Sequence, residues 1–162
     1  DATEKVATAE ANTWKSSLEE PGAMDMQHLA TLMASLSNEQ FLDRVPDQVL
    51  IDGDVGNMAG WEGIQSKRLQ ATRGARGDYA MIYSANGRNI RVKMDRLSAL
   101  RMNAFWFNPR NGTWQIDDKN FADQRPFMEH VPSGAAAPIR EFDPPGSPAD
   151  GNDWVLVLKA AE

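Results

Sequence analysis

The sequence predicts a mainly β protein, an antiparallel β-sandwich preceded by two α-helices. Three observations carry this reading. Apolar residues recur at steps of three and four as far as Leu36, and at steps of two beyond Phe41. Beyond Phe41, short apolar runs follow one another at roughly 8–12-residue spacing with turn residues between them, which is the rhythm of sandwich and barrel strands. Twelve glycines and nine prolines in 162 residues supply turns in the number that many short strands require.

The helical part comes first. Ala2 to Leu18 is rich in Ala, Glu and Lys, which are good helix formers, and Pro21-Gly22 breaks the pattern. In the second helix Met26, Leu29, Leu32, Met33 and Leu36 fall on one face, and Ser37-Asn38 ends it. Val49-Leu50-Ile51 is a short apolar run leading into the loop Asp52 to Asn57. Leu69 to Arg73 reads as a strand. Tyr79 to Ser84 and Ile90 to Met94 read as two strands joined through Asn86-Gly87, a pair that favours a type I′ hairpin turn. In the second of these Ile90, Val92 and Met94 alternate with Arg91 and Lys93, so one face is expected to be buried and the other wet. Ala104 to Phe107 enters a further hairpin through Asn108-Pro109-Arg110-Asn111-Gly112 and leaves it through Trp114 and Ile116, with Pro109 presetting φ and Gly112 free to take the left-handed position. Residues 118–138 read as irregular. Trp154 to Leu158 is apolar on both faces and is expected to be central.

Composition narrows the function. The net charge is −6 with no basic run, which disfavours nucleic acid as a partner. There is no cysteine, hence no disulfide, thiolate zinc site or cysteine nucleophile, and this alone does not fix the compartment. No apolar run approaches the roughly 20 residues of a membrane span. Asp1-Ala2-Thr3-Glu4-Lys5 has no apolar centre and no initiator Met, so the chain reads as a processed product or a piece of a longer one.

Motifs that carry chemistry are scarce, and neither catalytic residues nor a cofactor are expected. His28 and His130 stand far apart without a second ligand at metal spacing, and both read as structural or surface residues. Asp52 to Asn57 has the alternating carboxylates of a calcium loop but places Gly56, Asn57 and Gly63 at the fifth, sixth and twelfth positions, where Asp or Asn, Gly and Glu are needed. No metal is assigned there. Ser84 leads into the Ala85-Asn86-Gly87 hairpin rather than a nucleophile elbow. Arg73-Gly74-Ala75-Arg76-Gly77 is too short to cradle phosphate. Aromatic residues remain. Trp61, in Gly60-Trp61-Glu62-Gly63, either stacks on a ligand such as a sugar ring or plugs the mouth of the sandwich. Trp61, Trp114 and Arg110 are the candidate ligand-binding residues, while Phe105, Trp106, Phe107 and Trp154 read as core.

Four separated words are then recognisable in order: Arg44-Val45-Pro46-Asp47-Gln48-Val49-Leu50-Ile51; Tyr79 to Arg88; Trp106-Phe107-Asn108-Pro109-Arg110-Asn111-Gly112; and Phe142-Asp143-Pro144-Pro145 with Asn152 to Leu158. Together they resemble the family named putative collagen-binding domain of a collagenase. The resemblance implies a C-terminal β-sandwich, residues 41–162, that follows a (β/α)8-type barrel related to glycoside hydrolases, including apiosidase-like enzymes. Trp14, Leu18, Pro21-Gly22-Ala23, Met26, Leu29 and Leu32 resemble the last barrel helix, so residues 1–38 are expected to be the end of that barrel. The family's catalytic acids have no matching positions here.

Three functions follow as expectations. One is a non-catalytic sandwich supporting a catalytic barrel domain or chain, in an extracellular or periplasmic protein. Another is a module for an extracellular polymer, collagen or polysaccharide, as in a carbohydrate-binding module. The third is a stand-alone hydrolase. Under the first, Arg44, Asp47, Met26, Leu29 and Met33 form the interdomain seam, and Arg44 or Asp47 either bonds across it or remains an exposed pair.

Overall fold

In the computed structural model, residues 21–56 and 67–161 are described. The first expected helix, with Trp14 and Leu18, and the loop that carries Trp61 lie outside the described residues. The described chain opens with helix α1, Pro21–Ala34. Ser37 does not simply end the helical region. Its side-chain oxygen accepts from Gln40 N at 3.2 Å while Gln40 Oε1 accepts from Ser37 N at 3.2 Å, a capping box that starts a short helix α2, Asn38–Leu42.

Ten strands follow: β1 Arg44–Pro46, β2 Leu69–Gly74, β3 Tyr79–Ser84, β4 Ile90–Lys93, β5 Arg101–Asn108, β6 Thr113–Ile116, β7 Lys119–Phe121, β8 Met128–Pro132, β9 Ile139–Phe142 and β10 Trp154–Ala160. Eight form one sheet in the order β1-β2-β3-β10-β5-β6-β7, with β8 also on β5. β6 and β8 share one edge of β5, the first opposite Trp106 to Asn108 and the second opposite Arg101 to Ala104, across a register shift between Met102 and Ala104. Strands β4 and β9 form a separate two-stranded sheet. All pairings are antiparallel. The fold is thus the predicted mainly β arrangement with helices before it.

The apolar residues divide into two cores because the large sheet is buried on both faces. Alternate residues of β10 face opposite ways. Trp154, Leu156 and Leu158 join Ile82, Ala104 and Trp106 against Ile90, Val92 and Phe142 of the small sheet, with Leu50, Ile51 and Met94 beside them. Val155 and Val157 join Met81, Phe105, Phe107 and Trp114 against Leu32 of α1 and Leu36 just beyond it. This is why the run Trp154 to Leu158 is apolar throughout.

Two expectations are corrected. Asn86-Gly87 is not a hairpin turn: β3 pairs with β2 and β10, and β4 pairs with β9 in the other sheet, so the segment carries the chain from one sheet to the other. Gly87 has φ 70°, but Asn86 is not among the positive-φ residues, and type I′ needs both. Both edges of β3 are already occupied, which leaves no room for β4. Residues 118–138, expected to be irregular, contain β7 and β8. The run around Val49 forms a single turn of 3-10 helix, Gln48–Leu50, with Asp47 as its N-cap.

Candidate binding groove

Helix α1 lies on the outer face of the large sheet like a wedge. Its C-terminal end is seated, with Leu32 5% and, just beyond the helix, Leu36 8% exposed, whereas Met26 is 62% and Leu29 45% exposed near the other end. Beside this raised end runs a groove of about 690 Å³. Asp25, Met26, Leu29, Leu32 and Met33 of α1 form one wall; Met81, Phe107 and Val155 contribute apolar surface from the sheet; and Arg44, Gln70, Thr72, Tyr83, Pro109, Arg110 and Asp153 complete the lining.

Three polar ties hold α1 in this position. His28 Nδ1 lies 3.0 Å from Pro109 O, and its ring packs on Gly112, where an added Cβ would come within 2.7 Å of His28 Cδ2. Gly112 therefore has two reasons to be glycine, a φ of 69° and this close approach. Lys159 Nζ donates to Ser35 O, just past the helix, and to Gln124 Oε1 at 2.9 Å. Burial lowers the Lys159 pKa. Arg44 Nη1 donates to Met33 Sδ at 2.9 Å, with its guanidinium 5.9 Å from the centre of the Phe41 ring.

The opposite end of the groove is a closed polar network. Arg110 Nε donates to Asn108 Oδ1 at 2.9 Å, and Nη1 donates to Gly151 O at 2.8 Å and Asn152 Oδ1 at 3.0 Å. Its guanidinium lies over the Trp154 ring at 4.8 Å, with Asp153 Oδ1 at 3.9 Å. Asn152 is the hub. Its Oδ1 also accepts from Trp154 Nε1 at 2.9 Å, and its Nδ2 donates to Pro145 O at 3.1 Å and Ser147 O at 3.0 Å. Tyr83 donates to Asp153 Oδ2 at 3.2 Å. Burial, and then the Asp153 charge, push the Tyr83 phenol up to about 12, so it remains a neutral donor near neutral pH.

The groove gathers Met26, Leu29, Met33, Arg44 and Arg110 out of the residues singled out in the sequence. Asp47 lies elsewhere. It accepts from Arg73 Nε at 2.7 Å and from Val49 N at 3.2 Å, tying β2 to the 3-10 turn within the sandwich. Trp114 is 2% exposed, edge-on to Phe105 and Phe107, so its ring serves the core. Trp61 lies outside the described residues. Among the described residues no cluster of three or more metal-binding side chains occurs. Glu39, Asp43 and Asp78 instead gather around Arg76. Sequence reading passed over Asn152, Tyr83, Asp153, Lys159 and the contact of His28 with Pro109. The word Asn152-Asp153-Trp154 was the one signal available for the first of these. Chemically, the groove offers apolar area framed by charges, which suits association.

Residues 45–159 match the family described as "Putative collagen-binding domain of a collagenase". A glycoside hydrolase family 5 crystal structure from Bacteroides vulgatus ATCC 8482 superposes with a TM-score of 0.67 at 27% identity, covering 91% of this chain and 26% of that one. A second solved structure, described as a glycoside hydrolase, gives 0.67 at 28% identity, covering 91% and 27%. The chain thus spans about a quarter of the length of these structures. No curated protein matches it in sequence.

Proposed function

We propose, because this chain belongs to the family described as putative collagen-binding domain of a collagenase, that it is the non-catalytic β-sandwich of an extracellular or periplasmic glycoside-hydrolase-like protein and that it supports the catalytic domain. The observation that carries the reading is the half-seated stripe of α1. Leu32 and Leu36 are satisfied by the sheet, while Met26 and Leu29 present apolar surface outward. Completing the burial of such side chains contributes up to about 1.5–3 kcal/mol each. An amphipathic helix with one end unseated fits an element shared between two domains. Two solved glycoside hydrolases with a similar domain in about a quarter of their length support the same assignment. Among the described residues no helix is long and apolar enough to cross a membrane.

Calorimetry of a graft tests this reading. The chain replaces the matching segment of the Bacteroides hydrolase. A sandwich that supports the catalytic part unfolds with it in one cooperative transition, and two independent transitions would refute the support role. The chain alone, given a panel of aryl glycosides, is expected to release no product.

The family's description favours a second reading, retention on an extracellular polymer. Co-sedimentation of the chain with insoluble collagen and with plant and microbial polysaccharides tests it. Retention on one of them identifies the ligand class, and retention on none leaves the supporting role alone.

A further inference from the structure

We propose that the groove beside α1 receives an apolar segment of the catalytic domain carrying a carboxylate that pairs with Arg44. This rests on the supporting role proposed above and deepens it by naming the contact surface and the chemistry of its occupant.

The first argument is the distribution of exposed apolar side chains. Of eight large ones among the described residues, Met26, Leu29 and Tyr83 line the groove, and Phe41 meets Arg44 at its rim. Leu42, Val49, Leu100 and Ile139 lie outside the groove lining. Scattered single apolar residues are ordinary on a surface, but a concentration beside a concave apolar floor marks an interaction face. Arg44 links the two parts of this face, since it touches Met33 in the groove wall and lies over Phe41 of α2.

The second argument is charge. Arg110, at the far end, is already matched by Asp153, Asn108 and Asn152. Arg73 has Asp47, and Arg91 has Asp52. Arg44 has no carboxylate among the described residues, only a thioether sulfur and a ring face. A guanidinium on the rim of an apolar groove, held in place by Met33 and Phe41, is preorganised for a carboxylate that arrives with the occupant. Asp25, on the α1 wall, has no partner among the described residues either, and a cation on the incoming segment would match it. The groove therefore specifies an apolar segment flanked by an acidic residue, rather than a uniformly charged polymer.

The test uses the grafted hydrolase and the chain alone side by side. In the graft, Met26→Glu with Leu29→Glu is expected to lower the melting temperature by about 5 °C or more, or to split the transition in two. Arg44→Glu is expected to give a smaller fall that shrinks in about 1 M salt. In the chain alone Met26→Glu with Leu29→Glu should shift melting by no more than about 1 °C, because those side chains are exposed there, and Arg44→Glu, which also loses Met33 and Phe41, should give a loss that does not depend on salt. Equal losses in the chain alone would make these residues internal packing and overturn the proposal. A graft that stays cooperative and indifferent to the substitutions would place the interdomain contact elsewhere, overturning the groove assignment while leaving the supporting role intact. Two independent transitions in the unsubstituted graft would remove the supporting role itself and the groove assignment with it. Finally, sedimentation showing a dimer of the chain that Leu29→Glu dissociates would make a second copy the occupant and overturn the assignment to the catalytic domain.

Discussion

Gly87→Ala probes how the turns at the Arg110 end of the groove are held together. Gly87 is buried with φ 70°, and an added Cβ would sit 2.5 Å from Asn152 O and 2.6 Å from Asn152 Nδ2. The backbone conformation alone costs an alanine about 1 kcal/mol. The contact adds more, because Asn152 must move, and its side chain makes four hydrogen bonds, with Arg110, Trp154, Pro145 and Ser147. Losing two of them costs about 1 kcal/mol each, which brings the whole to about 3 kcal/mol. At about 2–4 °C per kcal/mol for a chain of this size, the melting temperature should fall by about 6–12 °C. Gly151→Ala is the control. Its φ is 76° and nothing lies within 4 Å of the added carbon, so it should cost only the conformational part, about 1 kcal/mol. Urea titration with near-ultraviolet circular dichroism reports both stability and the packing of Trp154. If the two variants differ by less than about 0.5 kcal/mol, Asn152 is not the hub described here.

Other expectations concern the chain alone. Leu36→Ala should cost about 2–4 kcal/mol in urea titration, and Met26→Ala less than about 0.5 kcal/mol, since only the first is buried; equal costs would contradict the wedge-like seating of α1. Asp47→Ala takes from Arg73 its carboxylate, leaving only the carbonyls of Gly74 and Ala75, and uncaps the 3-10 turn, so about 2 kcal/mol is expected, against less than about 1 kcal/mol for Arg44→Ala; the reverse order would contradict the placement of these two residues. Burial, and then the Asp43 charge, push the Tyr79 phenol up to about 12 from an ordinary value near 10. The unfolded chain therefore loses this proton first as pH rises, and the stability contributed by neutral Tyr79 is complete below pH 10 and disappears towards pH 12. Tyr79→Phe forfeits the bond to Gln40 O at 2.6 Å at every pH but should reduce that alkaline decline, to which Tyr83 also contributes, and an unchanged slope between pH 10 and 12 would show that Tyr79 does not cause it.

The parts of the fold legible in the sequence are those whose own side chains dictate them. Ile90 to Met94 alternates because one face of β4 is core, and Trp154 to Leu158 is apolar throughout because both faces of β10 are. Asn108 to Gly112 carries its turn in its residue types, and the turn formed as read. Strands β7 and β8 escaped notice because Lys119-Asn120-Phe121 and Met128-Glu129-His130-Val131-Pro132 are short and largely exposed. Their extended form comes from pairing with β6 and β5, not from an apolar rhythm of their own. Asn86-Gly87 misled because the dipeptide favours a reversal while the partner strands decide where the chain goes next. In the groove the apolar wall was legible from the spacing on α1. The hub was not, because Asn152 gains its role from Gly87 and Arg110, which are remote in sequence, and a polar residue before a strand reads only as a turn.

The placement of β10 has a consequence for how the polypeptide is made. Its neighbours are β3 and β5, and its middle residues bridge Ile82 and Met81 on one side to Trp106 and Phe105 on the other. Until residue 160 has left the ribosome, β3 and β5 each keep a long apolar edge with no hydrogen-bonding partner. The nascent chain can form α1 and the β5–β6 hairpin early, but the large sheet must stay divided until its keystone arrives. That order of events demands closure over the whole length of the domain, slows folding, and makes the half-synthesised chain a natural client for chaperones that hold exposed strands apart.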